Sequence, residues 1–248
     1  MLVEQGADVH ATNEFGGSLL MSAVHYGHKE DALRLLEPPH SLDVNRHNHR
    51  GDTPLTLAAS SGNMDLVQLL LDRGASATAQ GERRDTPLIR AAKFRRAEVV
   101  QFFLAKQLPG LSVDDANRAG DTALLEASRS GNVHVATQLL DAGANLSHAN
   151  QQGMTALLEA AESGSFDLVE TLVERGADVH QRSRHGEGAL ELSRWARNAD
   201  EIKEFLVARG VVDHTADEDH YHDEHDSEHG YPGYRGDDHP YRGEHPDD

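Results

Sequence analysis

Histidine and carboxylate side chains crowd the C-terminal end of the chain, where together they could bind a transition metal. Residues 213–248 hold seven histidines, 13 acidic residues and two arginines. Imidazole and carboxylate ligands suit Zn²⁺, Ni²⁺ or Cu²⁺, although a ligand set without fixed geometry binds weakly. Weak metal capture and a purely solubilising segment both fit this composition, and we expect no other cofactor. The candidate metal ligands are His220, His222, His225 and His229.

A second candidate site is a basic stripe, which is unevenly distributed for a chain of formal net charge −19. Most of its members fall in short polar loops, and four are contiguous at 93–96. Arginine and aromatic side chains dominate the energetics of protein–protein interfaces. We therefore interpret the stripe as a surface for a protein partner of acidic or mixed charge, the alternative being an ordinary solvated face. It consists of Arg50, Arg83, Arg84, Lys93, Phe94, Arg95, Arg96, Arg118 and Arg184.

The sequence carries no pattern that predicts catalysis. It has no nucleophile–base arrangement, no glycine-rich phosphate loop and no His-Glu-x-x-His zinc motif. Glutamate and histidine are frequent, but they fall at loop or helix-surface positions, where solvation is the simpler interpretation. We expect a protein that is not an enzyme.

Composition excludes several further classes of protein. The negative charge disfavours non-specific binding to nucleic acid or to an anionic membrane. The absence of cysteine excludes disulfides and thiolate zinc sites. No apolar run approaches the roughly 20 residues of a membrane span, and no signal peptide is visible. We expect a cytoplasmic protein, with the reservation that a targeting signal would be lost if the chain is truncated.

The residues from Gly51 to Gly74 predict the structural unit that positions these side chains. Thr53 is a candidate helix N-cap, Pro54 a suitable first helical residue, and Gly62 a left-handed helix end. A second apolar run follows at 66–70 and ends at Gly74. Two short antiparallel helices result, and neither could bury its apolar face alone.

Copies of this unit fill most of the chain. Gly120, Gly153 and Gly186 are each 33 residues apart, a spacing near the ankyrin period. Segments such as Thr-Pro-Leu at 53–55 and Gly-Ala-Asp-Val at 176–179 resemble those of the ankyrin-repeat family. Residues 1–11 match the end of a unit and are predicted to be a partial repeat. The predicted repeats are 12–46, 47–79, 80–116, 117–149, 150–181 and 182–212.

The resemblance implies an all-α, ankyrin-type helix-turn-helix solenoid whose concave face, lined by loop tips and first helices, binds a protein. It implies a non-catalytic scaffold or adaptor. The composition of residues 213–248, with Ala216 as the only aliphatic residue, predicts a disordered acidic and histidine-rich tail. That tail could fold back on the basic stripe and compete with an acidic partner. The alternatives are weak metal handling through the tail and an accessory factor that docks on a partner enzyme.

Repeat three departs from the pattern at two glycines. Arg84 replaces the glycine of the loop tip, and Arg95 replaces the glycine that ends the first helix. A left-handed arginine costs on the order of 1 kcal/mol, and such strain tends to collect at functional sites. The alternative for Arg95 is a helix that ends differently. Phe94 is a candidate aromatic anchor, together with His25-Tyr26, whereas Trp195 is expected to pack within the terminal repeat.

Overall fold

A computed structural model describes residues 8–80, 84–106 and 108–212. Within these ranges the chain forms twelve α-helices in six consecutive pairs, and strand structure there is limited to two isolated bridges. The helices are α1 (Leu19–His25), α2 (Lys29–Leu36), α3 (Pro54–Ser61), α4 (Met64–Asp72), α5 (Pro87–Lys93), α6 (Ala97–Lys106), α7 (Ala123–Arg129), α8 (Val133–Asp141), α9 (Ala156–Ser163), α10 (Phe166–Glu174), α11 (Ala189–Ser193) and α12 (Ala199–Val207). No helix in this part of the chain is long and apolar enough to cross a membrane.

The first helix of each pair begins where the sequence predicts. The Thr53 hydroxyl accepts a hydrogen bond from the Thr56 backbone N–H at 3.2 Å, and Pro54 follows as the first residue of α3. The helix ends at Gly62, which is left-handed with φ 79°. Thr86, Thr122 and Thr155 cap α5, α7 and α9 in the same way. These caps satisfy backbone donors that no residue within the helix could satisfy.

The helices form two layers, one of first helices and one of second helices. In the first layer α1, α3, α5, α7, α9 and α11 pack in chain order, and α2, α4, α6, α8, α10 and α12 do so in the second. The core is made of leucine and alanine, with the same leucine position buried in successive repeats, as at Leu55, Leu88 and Leu124. Burying such a leucine contributes roughly 1.5–3 kcal/mol, so each pair depends on its neighbours.

A short loop, here called a finger, precedes each first helix, at residues 13–17, 48–52, 117–121, 150–154 and 183–187; of the third finger the structure describes residues 84–85. In the second finger the Asn48 side chain accepts hydrogen bonds from the backbone N–H groups of Arg50 and Asp52, both at 2.9 Å. The asparagines at 13, 117 and 150 do the same in their fingers. Adjacent fingers are also joined, since the Arg184 N–H donates to the Gln152 carbonyl at 2.8 Å.

Two predictions about individual residues have opposite outcomes. Arg84 and Arg95 are left-handed, with φ 57° and φ 61°, as their alignment with glycines predicts. The prediction that Trp195 packs in the terminal repeat is wrong, because its side chain is 90% exposed. The reason is that α11 ends at Ser193 after five residues, so Trp195 lies beyond the helix.

Some predictions fall on residues outside the described ranges. They include most of the partial repeat at 1–11, the tail at 213–248 and Arg83. The four candidate metal ligands, His220, His222, His225 and His229, also lie outside. The proposed domain boundaries at residues 11 and 212 stay predictions.

Candidate functional site

Four arginines of the basic stripe lie on the fingers and are exposed to solvent. Among the described residues, no carboxylate lies within ion-pair distance of any of them. Arg50 stacks instead on the Phe15 ring of the preceding finger, with 5.3 Å between the guanidinium carbon and the ring centre. We call these side chains the rim arginines: Arg50, Arg84, Arg118 and Arg184.

Arg84 occupies a position that five other fingers give to glycine. Those glycines have φ between 72° and 83°, the region that a side chain disfavours. Two of them are also tightly enclosed, since a Cβ at Gly153 would meet the Arg184 backbone nitrogen at 2.8 Å. Arg84 adopts the same region and donates from Nε to the Gln80 side chain at 2.8 Å. The third finger therefore presents a guanidinium at its tip in place of a bare backbone.

The fingers of repeats two to five and the first helices of repeats three and four enclose an open groove of about 700 Å³. Arg50 and Arg118 reach the groove from its rim, while Lys93 and Arg129 reach it from the helices. Three predicted stripe residues are thus brought together. The lining residues are His49, Arg50, Asp85, Lys93, Asn117, Arg118, Ala119, Asp121, Glu126, Arg129 and Gln151.

Charged side chains on the first helices form the groove floor and link one repeat to the next. Lys93 Nζ lies 3.0 Å from Glu126 of the following repeat. Arg129 Nη2 lies 2.6 Å from Glu159 of the repeat after that. Both carboxylates are only 3% exposed, whereas Lys93 and Arg129 are 39% and 41% exposed, so the carboxylates are withdrawn from water and the cations are half-buried. The floor cations are therefore occupied by repeat-to-repeat contacts.

Arg129 is the centre of this network. Besides Glu159, it contacts Asp121 at 3.0 Å and Glu126 at 3.2 Å. Burial alone would raise the pKa of Asp121, but hydrogen bonds from Arg129 and Asn150 outweigh it and hold that pKa below its usual value. Burial dominates at Glu159 and raises its pKa despite the bond from Arg129. The same carboxylates raise the pKa of Arg129 against the opposing effect of its own burial.

A third floor cation, Arg90, joins repeats two and three. Its Nε donates to the Ser60 hydroxyl at 2.9 Å, and Nη2 lies 3.4 Å from Asp52. A weaker contact of 3.8 Å reaches Asp85. The guanidinium also lies over the Phe94 ring, 5.1 Å from its centre. Phe94, which is 41% exposed, is thus partly covered by a residue of its own helix.

The remaining stripe residues lie at the turn between α5 and α6. Arg96 donates from Nε to the Ser60 carbonyl at 2.8 Å and packs beside Gly62. Arg95 is exposed and left-handed. Neither residue lines the groove, so the stripe is not one continuous surface: its members divide between the fingers, the floor and this turn.

Sequence reasoning missed the acidic half of the floor. Asp121, Glu126 and Glu159 were not singled out, nor were Arg90 and Arg129. Their signal is present in the aligned repeats, because the fourth residue after the helix cap is Leu57 in repeat two but Arg90 or Glu126 in later repeats. Charges at one inward helical position in successive repeats indicate contacts between those repeats.

The arrangement offers charge and shape for binding. Among residues 8–80, 84–106 and 108–212, no three histidines or carboxylates are grouped so as to hold a metal ion. The exposed large apolar side chains in this part of the chain are Phe15, Tyr26, Phe94, Trp195, Val207 and Val212. Exposed aromatic and arginine side chains are suited to protein recognition.

Comparison with known proteins agrees with this geometry. The family model for ankyrin repeats, three copies, matches residues 1–81, 20–115 and 88–183. The crystal structure of the human ASB11 ankyrin repeat domain superimposes with a TM-score of 0.72 and 28% identity, covering 86% of this chain and 91% of that one.

Two curated relatives match shorter stretches. Delta-latroinsectotoxin-Lt1a of Latrodectus tredecimguttatus is 34% identical over 79 residues, which is 32% of this chain and 6% of that protein. Protein fem-1 homolog A-like of Mus musculus is 37% identical over 78 residues, 32% of this chain and 12% of that protein. The alignments thus span only a small part of these relatives. Since the family model covers well over half of the chain, this protein belongs to the ankyrin-repeat family.

Proposed function

We propose that this protein is a non-catalytic scaffold or adaptor that binds an acidic or mixed-charge segment of a partner protein through the rim arginines. Ankyrin repeats are in general protein–protein interaction modules, and nothing in the family or its relatives here indicates catalysis. The partner class is our inference from this chain's own charges. We propose the cytoplasm as its compartment.

One observation carries the proposal: among the described residues, the floor cations pair with carboxylates and the rim arginines do not. A floor cation such as Lys93 is neutralised by Glu126, so an incoming carboxylate gains little from it. Arg50 and Arg118 are exposed beside the same groove, with no described carboxylate within ion-pair distance of either. An acidic segment would therefore pair at the rim. Charge-assisted bonds between guanidinium and carboxylate are among the stronger polar contacts.

The test is binding of a fluorescein-labelled oligo-glutamate peptide, followed by fluorescence anisotropy at low salt. Arg118→Glu should weaken binding about tenfold, and Arg50→Glu together with Arg118→Glu should abolish it. The matched control is Arg34→Glu on α2, which makes the same charge change at an exposed position in the other helix layer. If Arg118→Glu and Arg34→Glu weakened peptide binding equally, the effect would come from net charge alone and the proposal would be refuted.

The remaining stripe residues stay a weaker part of the proposal. Lys93 and Arg96 are committed to internal contacts, and Phe94 lies against Arg90. Contact of the acidic tail with the stripe also stays a prediction. It is tested in the full chain by changing the 13 acidic residues of 213–248 to amides, which should strengthen oligo-glutamate binding if the tail competes.

Composition alone favours a second role, weak transition-metal binding by the tail. The histidines at 220, 222, 225 and 229 lie among carboxylates, and both groups are ligands for Zn²⁺ and Ni²⁺. Calorimetric titration of the full chain with Zn²⁺ should give weak binding that falls when His220, His222, His225 and His229 are all changed to alanine. Unchanged heats would leave the tail as a solubilising segment.

A further inference from the structure

Three successive fingers carry an exposed arginine, and the fingers on either side do not. Repeats two, three and four contribute Arg50, Arg84 and Arg118. Repeat one places Phe15 at the position of Arg50, and repeat five places Gln151 at the position of Arg118. The basic part of the rim is therefore three fingers long, bounded by an aromatic side chain at one end and an uncharged one at the other.

From this pattern we propose that the rim reads an extended peptide with an acidic residue at every third position and an apolar residue three positions beyond the last. The inference rests on the proposed function and adds the spacing, the length and the apolar end of the ligand.

The spacing follows from the stacking of the repeats. Packed helices lie about 8–10 Å apart, and each finger leads directly into a first helix of the stacked layer. A chain in the extended polyproline II conformation advances about 3.1 Å per residue with three residues per turn, so three residues cover about 9 Å. Acidic residues at i, i+3 and i+6 then lie on one face of the peptide and meet the fingers of repeats two, three and four in turn. Arg50 is the third residue of its finger, Arg84 the fourth and Arg118 the second. Their long, flexible side chains can compensate for this difference of one or two positions.

An extended ligand reaches the three fingers with fewer residues than a helical one. A helix advances about 1.5 Å per residue, so spanning about 20 Å takes about 13 residues. Seven extended residues cover the same distance and keep every third side chain at the rim.

The third finger supplies independent support. Arg84 is left-handed at a position where the other five fingers have glycine. It belongs to the finger between those of Arg50 and Arg118 and precedes Asp85, which lines the groove. Backbone strain of this kind tends to persist where it serves a function. Its Nε is fixed by Gln80, which leaves the remaining guanidinium N–H groups available to a ligand.

Phe15 defines the apolar end. Its ring is 50% exposed, and Arg50 already lies over it. An apolar ligand side chain on the ring would shield the adjacent Arg50–carboxylate pair from water. Partly desolvated charge pairs are stronger than fully hydrated ones.

The experiment compares two labelled peptides of the same composition against the full chain at low salt. The spaced peptide reads Leu-Ser-Gly-Glu-Ser-Gly-Glu-Ser-Gly-Glu, and its isomer has the three glutamates adjacent. Both the spaced peptide and its reversed sequence are used, because the chain direction is free. We expect the better spaced peptide to bind at least tenfold more tightly than the isomer.

Two matched variants isolate the third finger. Arg84→Gly and Arg95→Gly each remove one exposed cation and relieve one left-handed arginine, but only the first is on a finger. We expect Arg84→Gly to reduce the preference for spaced glutamates to threefold or less, and Arg95→Gly to leave it unchanged. Phe15→Ser should weaken the leucine peptide and leave a peptide with serine in place of leucine unaffected.

The outcomes separate the two proposals. If both peptides bind equally and both depend on Arg118, acidic recognition holds and the spacing is refuted. If neither peptide binds, or binding ignores Arg118, the proposed function itself fails. Equal losses for Arg84→Gly and Arg95→Gly would show that the third finger has no special role and would also refute the spacing.

Discussion

Arginines on the fingers and arginines on the first helices belong to the same surface but have different environments. On the floor, Arg129 is surrounded by three carboxylates within 3.2 Å, and two of them come from the first helices of its own and the next repeat. On the rim, no carboxylate of the described residues lies within ion-pair distance of Arg118. The difference lies in what each side chain reaches, since Arg129 meets carboxylates of α7 and α9 whereas Arg50 meets the Phe15 ring of the neighbouring finger.

This comparison separates charges that hold the solenoid together from charges that are free to bind. A floor cation compensates carboxylates that are almost fully buried, so its loss leaves those charges without a partner. A rim cation is hydrated in the free protein, so its loss has little consequence for folding. Stability and binding should therefore respond to different arginines.

The largest expected effect is the loss of Arg129. Arg129→Ala leaves Asp121, Glu126 and Glu159 with fewer cations in a site where they are 3–6% exposed. We expect the free energy of unfolding to fall by about 2–4 kcal/mol, the lower end reflecting the solvent access of the guanidinium itself. Urea denaturation followed by circular dichroism measures this change.

Arg175→Ala is the matched control for that measurement. Arg175 is as exposed as Arg129, at 41%, and pairs at 2.9 Å with Asp141, whose side chain is 63% exposed. An exposed pair contributes about 0–1 kcal/mol. Similar losses in the two variants would mean that burial of the carboxylates does not matter, and the distinction between floor and rim would fail.

The sequence predicts the elements far better than it predicts this distinction. Helix starts at Thr53-Pro54 and the left-handed glycine at 62 follow from local backbone chemistry, and the structure confirms them. Arg84 and Arg95 were predicted to be left-handed from alignment with glycines alone, which the structure also confirms. Each repeat has the same local backbone conformation, so the helix starts and ends of one regular repeat predict those of the others.

Contacts between repeats were not predicted, because they depend on how far a side chain reaches. Lys93 was placed in the same stripe as Arg118, yet it is held by Glu126, 33 residues further on. These contacts become recognisable only when the repeats are aligned with one another. Each then joins the last turn of one first helix to the next first helix: Ser60–Arg90, Lys93–Glu126 and Arg129–Glu159. Trp195 was misplaced for a related reason, since the length of α11 depends on the terminal repeat and not on the repeat pattern.

The next largest effect is a gain in stability on the third finger. Arg84→Gly removes the strain of a left-handed arginine, which stabilises the folded protein. Glycine also raises the conformational entropy of the unfolded chain, which offsets part of that gain. We expect the free energy of unfolding to rise by about 0.5–1 kcal/mol, while acidic-peptide binding weakens. The control is Arg50→Gly, a rim position without positive φ, which should lose about 0.5–1 kcal/mol. If both substitutions lower stability, the strain assigned to Arg84 is not real.

A smaller effect is the pH dependence of the floor, where two carboxylates on Arg129 have opposite shifts. Asp121 has a lowered pKa in the folded protein, so its stabilisation is present above its usual value of 3.8 and is lost as pH falls through the lower folded pKa. Glu159 has a raised pKa, so stability falls as pH rises from 4.5 through the higher folded pKa.

The two variants should separate these opposing contributions. Asp121→Asn should remove part of the acid-induced loss, and Glu159→Gln should flatten the decline above pH 4.5. Urea midpoints measured at stepped pH give both slopes, with Glu98→Gln on α6 as an exposed control. Identical pH profiles for Glu159→Gln and wild type would show that burial does not govern that carboxyl.

The smallest expected effect is that of salt on stability, and it sharpens the contrast with binding. Ions screen exposed charges over about 10 Å at 0.1 M, but they screen buried pairs far less. Between about 0.05 M and about 0.5 M NaCl, the spaced acidic peptide should therefore lose about tenfold in affinity for the rim.

Over the same range the difference in unfolding free energy between wild type and Arg129→Ala should change by less than about 0.5 kcal/mol, since the carboxylates around Arg129 are withdrawn from water. If that difference fell in parallel with peptide affinity, the floor charges would be as hydrated as those of the rim. Pairing with buried carboxylates would then not explain which arginines are free to bind.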